Sequence, residues 1–220
     1  WCDSQIPFHA KVAQFALRNG AIPAIQLGHA GRKGGMQRPW HGNGPLNKAD
    51  FERGDMPWTP VGPSKIPVAE GWPTPHALAT SEIENLIKDY VAATQRALAA
   101  GYKIAEIHGA HGYLVHSFLS PLSNKRNDAY GGNLEGRMRL ALEITQAVRA
   151  VWPENLPLFF RTSAVDGVPE GWSLEDTVIL AHALKASGVD VMDCSSGGIA
   201  GSATAANGQK RQPGFQVGYS

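Results

Sequence analysis

Two histidines and a tyrosine stand within six residues of one another, in the segment 105–114 with the sequence AEIHGAHGYL. His108, His111 and Tyr113 follow an apolar run at the point where glycines begin to interrupt the chain. Imidazole N–H groups and a phenolic O–H are hydrogen-bond donors, and a phenol stays protonated at neutral pH. The pattern therefore indicates a site in which the imidazoles hold a substrate oxygen while the phenol delivers a proton nearby.

Two other interpretations of this cluster stay open. A His-x-x-His pair can bind zinc, but a third ligand is not evident, because the loop that follows has no carboxylate before Asp128. We therefore predict no metal, and we keep a zinc-dependent hydrolase using His108 and His111 as an alternative function. The histidines could also be packing residues bonded to backbone carbonyls, although the nearby Tyr113 favours a functional cluster.

Three further polar residues, Gln26, Arg161 and Ser195, occur at or near the ends of apolar segments. A buried guanidinium without an anion is unfavourable. Arg161 is therefore predicted either to pair with Glu106 or to stabilise an anionic cofactor ring or substrate. Gln26 is predicted to tether a loop or to bind a ligand. The segment 28–33 (GHAGRK) indicates a phosphate cradle only weakly, because it lacks the Gly-Lys-Ser/Thr ending of a P-loop.

The composition is that of an ordinary globular protein: 220 residues, 43% hydrophobic and 18% charged, with a net charge of +1. This charge gives no reason to expect nucleic acid as a partner. No apolar run approaches the roughly 18 residues needed to span a bilayer, and we expect no membrane association. Cys2 and Cys194 are too few and too far apart for a disulfide framework, so a reducing cytoplasm is the expected location.

Apolar periodicity predicts helices alternating with strands. The predicted helices cover residues 6–19, a stretch from the capping box Ser81–Glu84 to Gly101, a stretch from Asn133 to Pro153, and a stretch from Ser173 to Gly188. The predicted strands are 22–27, 104–108, 156–162 and 189–194. Between the first strand and the second helix, residues 29–80 are predicted to be a long loop excursion with room for a small hairpin.

Short strands that are apolar on both faces and alternate with helices indicate a parallel sheet with crossover helices. Periodicity alone does not separate a barrel from an open sheet, but no glycine-rich dinucleotide motif follows any strand, which disfavours a Rossmann fold. A (β/α)8 barrel needs about 250 residues. Only four strands are predicted here, so a barrel would be represented by about half of its units.

The motifs together resemble the old yellow enzyme family of FMN-dependent ene-reductases, in the same order along nearly the whole chain. The segments that carry the resemblance are Gln26–Lys33 (QLGHAGRK), Glu106–Leu114 (EIHGAHGYL), Phe118–Asn124 (FLSPLSN), Tyr130–Gly132 (YGG) and Phe160–Ser163 (FRTS). Many members have Asn where this chain has His111. The histidine, like the Arg38–Trp40 segment, is similar to the xenobiotic reductase and thermophilic-like branch.

The resemblance implies a TIM barrel with FMN at its C-terminal mouth. It implies that NADPH or NADH reduces the flavin, and that flavin N5 passes hydride to an α,β-unsaturated carbonyl or nitro compound. On this basis His108 and His111 would bind the activating oxygen and Tyr113 would be the proton donor. Gln26 and Arg161 would bind the flavin ring, with Ser195 as a weaker match to a cofactor-binding position.

The same resemblance places the chain at roughly strands 3–6 of the barrel, as residues 1–220 of one FMN-binding domain. The strands that supply a flavin-tuning cysteine and the phosphate-binding loop would then lie outside it, so we expect the segment alone to bind FMN weakly or not at all. Exposed sheet edges make a homo-oligomer possible. A related flavin enzyme on the same barrel, of the dienoyl-CoA reductase or amine dehydrogenase type, is the nearest alternative.

Overall fold

The computed structural model of the chain describes residues 2–200 and 212–220. Helices and strands alternate along it, as the periodicity predicts. The helices are α1 (Ile6–Arg18), α2 (Lys48–Glu52), α3 (Thr80–Ala99), α4 (Leu114–Leu119), α5 (Leu134–Val151) and α6 (Leu174–Ala186), and the strands are β1 (Ala24–Leu27), β2 (Val61–Gly62), β3 (His76–Ala77), β4 (Ile104–Gly109), β5 (Leu158–Ser163) and β6 (Val191–Ser195).

The main sheet contains β1, β4, β5 and β6, all parallel and in that spatial order. Each strand therefore lies beside the strand that follows it among the four, and each connection contains at least one helix. Neighbouring helices also pack side by side, α1 on α3, α3 on α5 and α5 on α6. A doubly wound sheet would instead reverse its strand order and put helices on both faces. The chain winds in one direction only.

The two faces of the sheet differ sharply in polarity. One face packs under the helices and supplies fully buried side chains, among them Ala105, Ile107, Leu158 and Phe160. Alternate residues of the same strands point the other way. That second face, which we call the open face, presents Gln26, Glu106, His108, Arg161 and Asp193. Charged groups would be very unfavourable under the helices, so the alternation of residue types fixes which face receives them.

Side-chain caps define where two of the four predicted helices begin. Asn133 accepts the Gly136 amide at 2.9 Å, and Ser173 accepts the Asp176 amide at 3.2 Å, which confirms both predicted starts. The predicted box at Ser81 is wrong by two residues, because α3 begins at Thr80 after an Ala79 cap. One hydrogen bond of a capping box is present at the new position: the Glu82 carboxylate accepts the Ala79 amide at 2.7 Å and also contacts His76.

Helix α1 forms over the predicted range, but its apolar stripe is not buried. Phe8, Val12 and Phe15 are 60–68% exposed, and Ala13 is the buried residue of the helix. The 3–4 spacing thus predicts the helix correctly. It does not predict which side of the helix packs against the rest of the described chain.

The excursion after β1 is more ordered than predicted. The hairpin prediction is wrong for β2 and β3, which pair in parallel, although Met36 and Pro45 form one antiparallel bridge. Two short helices were also not predicted. One is α2, inside the excursion. The other is α4, which takes up the start of the Phe118–Asn124 segment. Short helices give too few periodic positions to be distinguished from loops.

Within the described ranges, no helix has both the length and the apolar character needed to cross a membrane.

The centre of the core lies at β4, and Ile107 tests it. Ile107 has no exposed surface, so Ile107→Ala should lower the free energy of unfolding by about 2–5 kcal/mol, measured by urea denaturation. As a matched control, Val178→Ala on the outer side of α6, where Val178 is 51% exposed, should change it by less than about 0.5 kcal/mol. Equal effects of the two substitutions would contradict this placement of the core.

Candidate active site

Polar side chains meet at the carboxyl ends of the four parallel strands. Across the sheet, His108 of β4 is in register with Arg161 of β5, which is in register with Asp193 of β6. One pleat away, Gln26 of β1 lies opposite Glu106. All of these lie on the open face. Since the carboxyl ends of parallel strands form one edge, residues far apart in sequence come together there.

The predicted cluster of rings is present in the structure. The ring centroids of His108 and His111 are 5.3 Å apart, and those of His108 and Tyr113 are 5.0 Å apart, both in edge-to-face arrangement. His108 is the next-to-last residue of β4, His111 adopts a left-handed backbone conformation with φ of 58°, and Tyr113 stands directly before α4. A turn of this kind brings all three rings to one side of the strand end.

Burial keeps both imidazoles neutral. It lowers the pKa of His108 to about 4 and that of His111 to about 3, with Arg161 and the neighbouring histidines adding to the effect. His108 Nδ1 accepts the Ala110 amide at 3.1 Å, so the single ring proton is on Nε2. Among the described residues, Nε2 has no protein acceptor. His108 therefore offers one free N–H donor at the strand end.

The backbone of the loop after β4 is bonded at every step from residue 110 to residue 114. The amide of His111 donates to Ser163 Oγ at 2.9 Å, and that of Gly112 donates to His116 Nδ1 at 2.8 Å. The amides of Tyr113 and Leu114 donate to backbone carbonyls of Ala110 and His29. Five consecutive N–H groups, counting Ala110, thus have defined acceptors, and the loop is held in one conformation.

Lys33 ties this loop to the end of β6. Its Nζ donates to the carbonyl of His111 at 2.7 Å and to that of Gly198 at 2.5 Å, and it lies 5.8 Å from the Tyr113 ring centroid. Burial lowers the pKa of Lys33 to about 8, with the charge of Arg32 adding to the effect. The neighbouring Arg32 donates to the carbonyls of residues 66, 67 and 199. Both cations are thus committed to carbonyls, and the weak indication of a phosphate cradle in residues 28–33 is wrong.

Gln26 and Arg161 reach the open face, but their protein partners differ from those expected. Gln26 Nε2 donates to Glu106 Oε2 at 2.6 Å, so the amide bridges two strands and does not tether a loop. Arg161 Nε lies 3.3 Å from Asp193 Oδ2, its register partner on β6, and Glu106 interacts with it only at longer range. The predicted Arg161–Glu106 pair is therefore wrong, because β6 supplies a nearer carboxylate.

Ser195 occupies the end of β6, as predicted, but its hydroxyl contacts the imidazole cluster. Ser195 Oγ lies 2.6 Å from His111 Nε2, and Gln216 Nε2 lies 3.2 Å from the same oxygen. Ser163, the register partner of Ser195 on β5, accepts the His111 amide and donates to the Gly197 carbonyl. The two serines thus position His111, Ser163 through its backbone amide and Ser195 through its ring.

Sequence reasoning missed Lys33, Ser163, His116 and Asp166 as parts of the site. Lys33, Ser163 and Asp166 act through contacts between residues far apart in the chain, which no local spacing predicts. His116 bonds to Gly112, four residues before it, inside a short helix that the periodicity does not predict. The sequence shows the basic pair Arg32 and Lys33, but it does not show which carbonyls accept from them. In the described part of the chain, no group of three His, Cys, Asp or Glu residues is arranged to hold a metal ion.

Comparison with known proteins gives a consistent result. Residues 1–217 match the family described as NADH:flavin oxidoreductase / NADH oxidase. The chain is 42% identical over 210 residues to NADH:flavin oxidoreductase FG08077 of Gibberella zeae, covering 90% of this chain and 50% of that protein. It is 39% identical over 219 residues to NADPH dehydrogenase of Bacillus cytotoxicus, covering 100% of this chain and 56% of that protein. The chain thus spans about half the length of these relatives.

Solved structures share the fold. The old yellow enzyme homologue from Zymomonas mobilis superposes with a TM-score of 0.72 at 25% identity, covering 99% of this chain and 59% of that one. A 2-naphthoyl-CoA reductase complexed with 2-naphthoyl-CoA superposes with a TM-score of 0.73 at 26% identity, covering 88% of this chain and 29% of that one. Together with the sequential parallel strands, these matches confirm the predicted fold: the chain forms part of a (β/α)8 barrel.

The close approach at Gly112 gives a test of the loop. Gly112 has φ of +73°, and a Cβ there would overlap the carbonyl oxygen of Gly198. Gly132 has φ of +75°, and a Cβ added there would meet no atom within 4 Å, so it isolates backbone strain from contact. Gly132→Ala should lower the free energy of unfolding, measured by urea denaturation, by about 1 kcal/mol. Gly112→Ala should lower it by about 1–3 kcal/mol more. Similar costs for both would show that the loop does not pack against residue 198.

The neutral imidazoles predict how stability depends on pH. The folded pKa values of His108 and His111 lie below the unfolded value near 6.5. The unfolded chain therefore binds more protons in that interval, and the free energy of unfolding should fall as the pH is lowered from 7 towards 4. His111→Gln should reduce this fall, since an amide does not titrate. Imidazole NMR titrations with midpoints near 6.5 for both rings would contradict the prediction.

Proposed function

Because this chain belongs to the NADH:flavin oxidoreductase / NADH oxidase family, we propose that it carries the substrate side of an ene-reductase active site. The family cofactor is FMN, which is reduced by NADPH or NADH. The proposed substrates are small α,β-unsaturated carbonyl or nitro compounds, and the proposed reaction reduces their activated C=C bond.

The observation that carries this proposal is the ring cluster at the end of β4. His108 and His111 are neutral donors, Tyr113 is a phenol within 5.0 Å of His108, and all lie at the strand ends beside Arg161. An enone requires such a set: donors for its oxygen and an acid for its α-carbon. A purely structural cluster would leave no reason for a free His108 N–H.

The residues of the open face fit a flavin ring. Arg161 Nε is buried and has no hydrogen-bond acceptor among the described residues, although Asp193 lies close by. A guanidinium in this state suits an electron-rich ring edge that becomes negatively charged on reduction. Gln26 uses its N–H group on Glu106 and keeps its amide oxygen to accept from a ring N–H. We propose that Gln26 and Arg161 bind the flavin ring, and that Ser195, a cofactor-binding candidate from the sequence, positions His111 beside that ring.

When bound, FMN would accept hydride from the nicotinamide and supply hydride to the β-carbon of the substrate. The Nε2–H of His108 would donate to the substrate oxygen, together with His111, and draw electron density away from the alkene. Because both imidazoles are neutral, they would act by hydrogen bonding and would not transfer their protons. The Tyr113 hydroxyl would then protonate the α-carbon.

The lysine beside the phenol supports this role. Lys33 Nζ lies over the Tyr113 ring, 5.8 Å from its centroid, and is held by two carbonyls, so a positive charge at neutral pH lies beside the phenol that would give up a proton. A nearby cation stabilises the phenolate that the transfer leaves behind.

A related flavin enzyme on the same barrel is a second candidate, favoured by the likeness to the 2-naphthoyl-CoA reductase. The chain covers only 29% of that structure but 59% of the old yellow enzyme homologue, so more of the latter is represented. The rates of reduction of a free enone such as cyclohexenone and of an α,β-unsaturated coenzyme A thioester separate the two candidates.

The proton-donor assignment predicts a split between the two half-reactions. In a flavin-loaded protein that contains this chain within a complete barrel, Tyr113→Phe should slow the reoxidation of reduced flavin by cyclohexenone by about 100-fold or more, the usual scale of a lost general acid. Reduction of the flavin by NADPH should be unchanged, because that step needs no phenol. Stopped-flow absorbance of the flavin measures both rates.

Tyr102→Phe is the matched control, since Tyr102 is a buried tyrosine whose hydroxyl contacts His9, away from the strand ends. It should leave both half-reactions unchanged. If Tyr113→Phe slowed flavin reduction as much as alkene reduction, the proton-donor role would be wrong. If the unaltered flavin-loaded protein reduced neither cyclohexenone nor the coenzyme A thioester, the proposed function itself would fail.

A further inference from the structure

His116 and Asp166 form a fully buried pair behind the ring cluster that the proposed reaction does not use directly. His116 lies on α4, Asp166 follows β5, and both side chains have no exposed surface. His116 Nε2 and Asp166 Oδ1 lie 2.9 Å apart, although the ring N–H does not point along the line between them. Burying a carboxylate and an imidazole is costly, so the pair needs a reason to be retained.

On its other side, His116 meets the active-site loop. Its Nδ1 accepts the amide of Gly112 at 2.8 Å. A ring nitrogen that accepts carries no proton, so the ring proton is on Nε2, the nitrogen that lies 2.9 Å from Asp166 Oδ1. The carboxylate thus selects the tautomer that can receive the Gly112 amide. Gly112 is the residue between His111 and Tyr113, the two neighbours that the proposed reaction needs in different roles.

Asp166 is itself held by two further donors. The Ser120 hydroxyl donates to its Oδ2 at 2.6 Å, and the Trp172 amide donates to the same oxygen at 2.7 Å. Burial alone would raise the pKa of Asp166, but the contacts with His116, Ser120 and Trp172 outweigh it and the pKa is lowered. The carboxylate is therefore ionised and fixed. The Trp172 ring is likewise anchored, through Nε1 to Thr177 Oγ1 at 2.6 Å.

We infer that His116, oriented by Asp166, is a positioning residue that sets the backbone between the oxygen-binding His111 and the proton donor Tyr113. The inference rests on the proposed function for its catalytic consequence, but its structural part concerns this chain alone. The left-handed backbone at His111 and Gly112, with φ of 58° and 73°, is unfavourable for a histidine and needs outside bonds to persist. The Gly112 amide would otherwise be buried without an acceptor, a loss that the loop could relieve only by moving.

Two substitutions separate the contacts of His116. In His116→Asn, the shorter side chain places its amide oxygen near the former Nδ1, so it keeps the acceptor for Gly112 and loses the contact with Asp166. In His116→Gln, the longer side chain reaches towards Asp166 as Nε2 does and leaves the Gly112 amide without an acceptor. His182→Gln, at an exposed position of α6, is the control for the same chemical change elsewhere.

The first measurement is amide hydrogen exchange of Gly112 in the chain without added flavin. His116→Gln should speed exchange of this amide by about tenfold, the equivalent of one lost hydrogen bond. His116→Asn and His182→Gln should leave it within about threefold of the unaltered chain. Equal protection in the Asn and Gln variants would overturn the inference. Thermal unfolding of each variant shows whether it has folded, and the Asn variant keeps the test valid if the Gln variant has not.

The second measurement is made on the flavin-loaded protein. His116→Gln should slow the alkene half-reaction by about 10- to 100-fold while flavin reduction by NADPH stays unchanged, since only the substrate groups are misplaced. His116→Asn should restore most of the rate. Loss of both half-reactions in parallel would mean a general structural role and would overturn the inference. If the unaltered protein reduces no alkene, the proposed function fails, and Gly112 exchange alone decides whether His116 fixes the loop.

Discussion

The register between β4 and β5 is the constraint on which the rest of the structure depends. With His108 opposite Arg161, successive residues of both strands alternate between the face covered by the helices and the open face. A slip of one residue would place Arg161 beneath the helices and expose Phe160, exchanging a buried aromatic ring for a buried charge. The apolar packing of Ile107 and Phe160 therefore determines where the polar groups point, and the site follows from the core.

Neutral imidazoles and a rigid loop have the same origin. The strand end is buried enough to keep His108 and His111 uncharged, and that burial obliges the loop to find an acceptor for every amide. Ser163, His116 and His29 supply those acceptors from three different parts of the chain. Preorganised donors of this kind would need little rearrangement to bind the substrate oxygen of the proposed reaction.

Local patterns predicted the elements of this chain well and their partners poorly. Periodicity and caps located the four long helices and all four strands of the main sheet, and the spacing from His108 to Tyr113 located the ring cluster. The failures share one physical cause: they depend on contacts across space. The exposed stripe of Phe8, Val12 and Phe15 was indistinguishable from a buried one, and the carboxylate beside Arg161 proved to be Asp193.

The bonds from Arg32 and Lys33 to the end of β6 also bear on how the chain folds. Arg32 reaches the carbonyl of Ile199, 167 residues along the chain, and Lys33 reaches that of Gly198. Contacts of such separation form late, because the intervening loop must first be closed. During synthesis, helices and neighbouring strands can assemble as they emerge, but the loop that holds Tyr113 has no anchor at Gly198 until the residues that follow β6 have been made. The loop that carries His111 and Tyr113 is thus fixed only after β6 is in place.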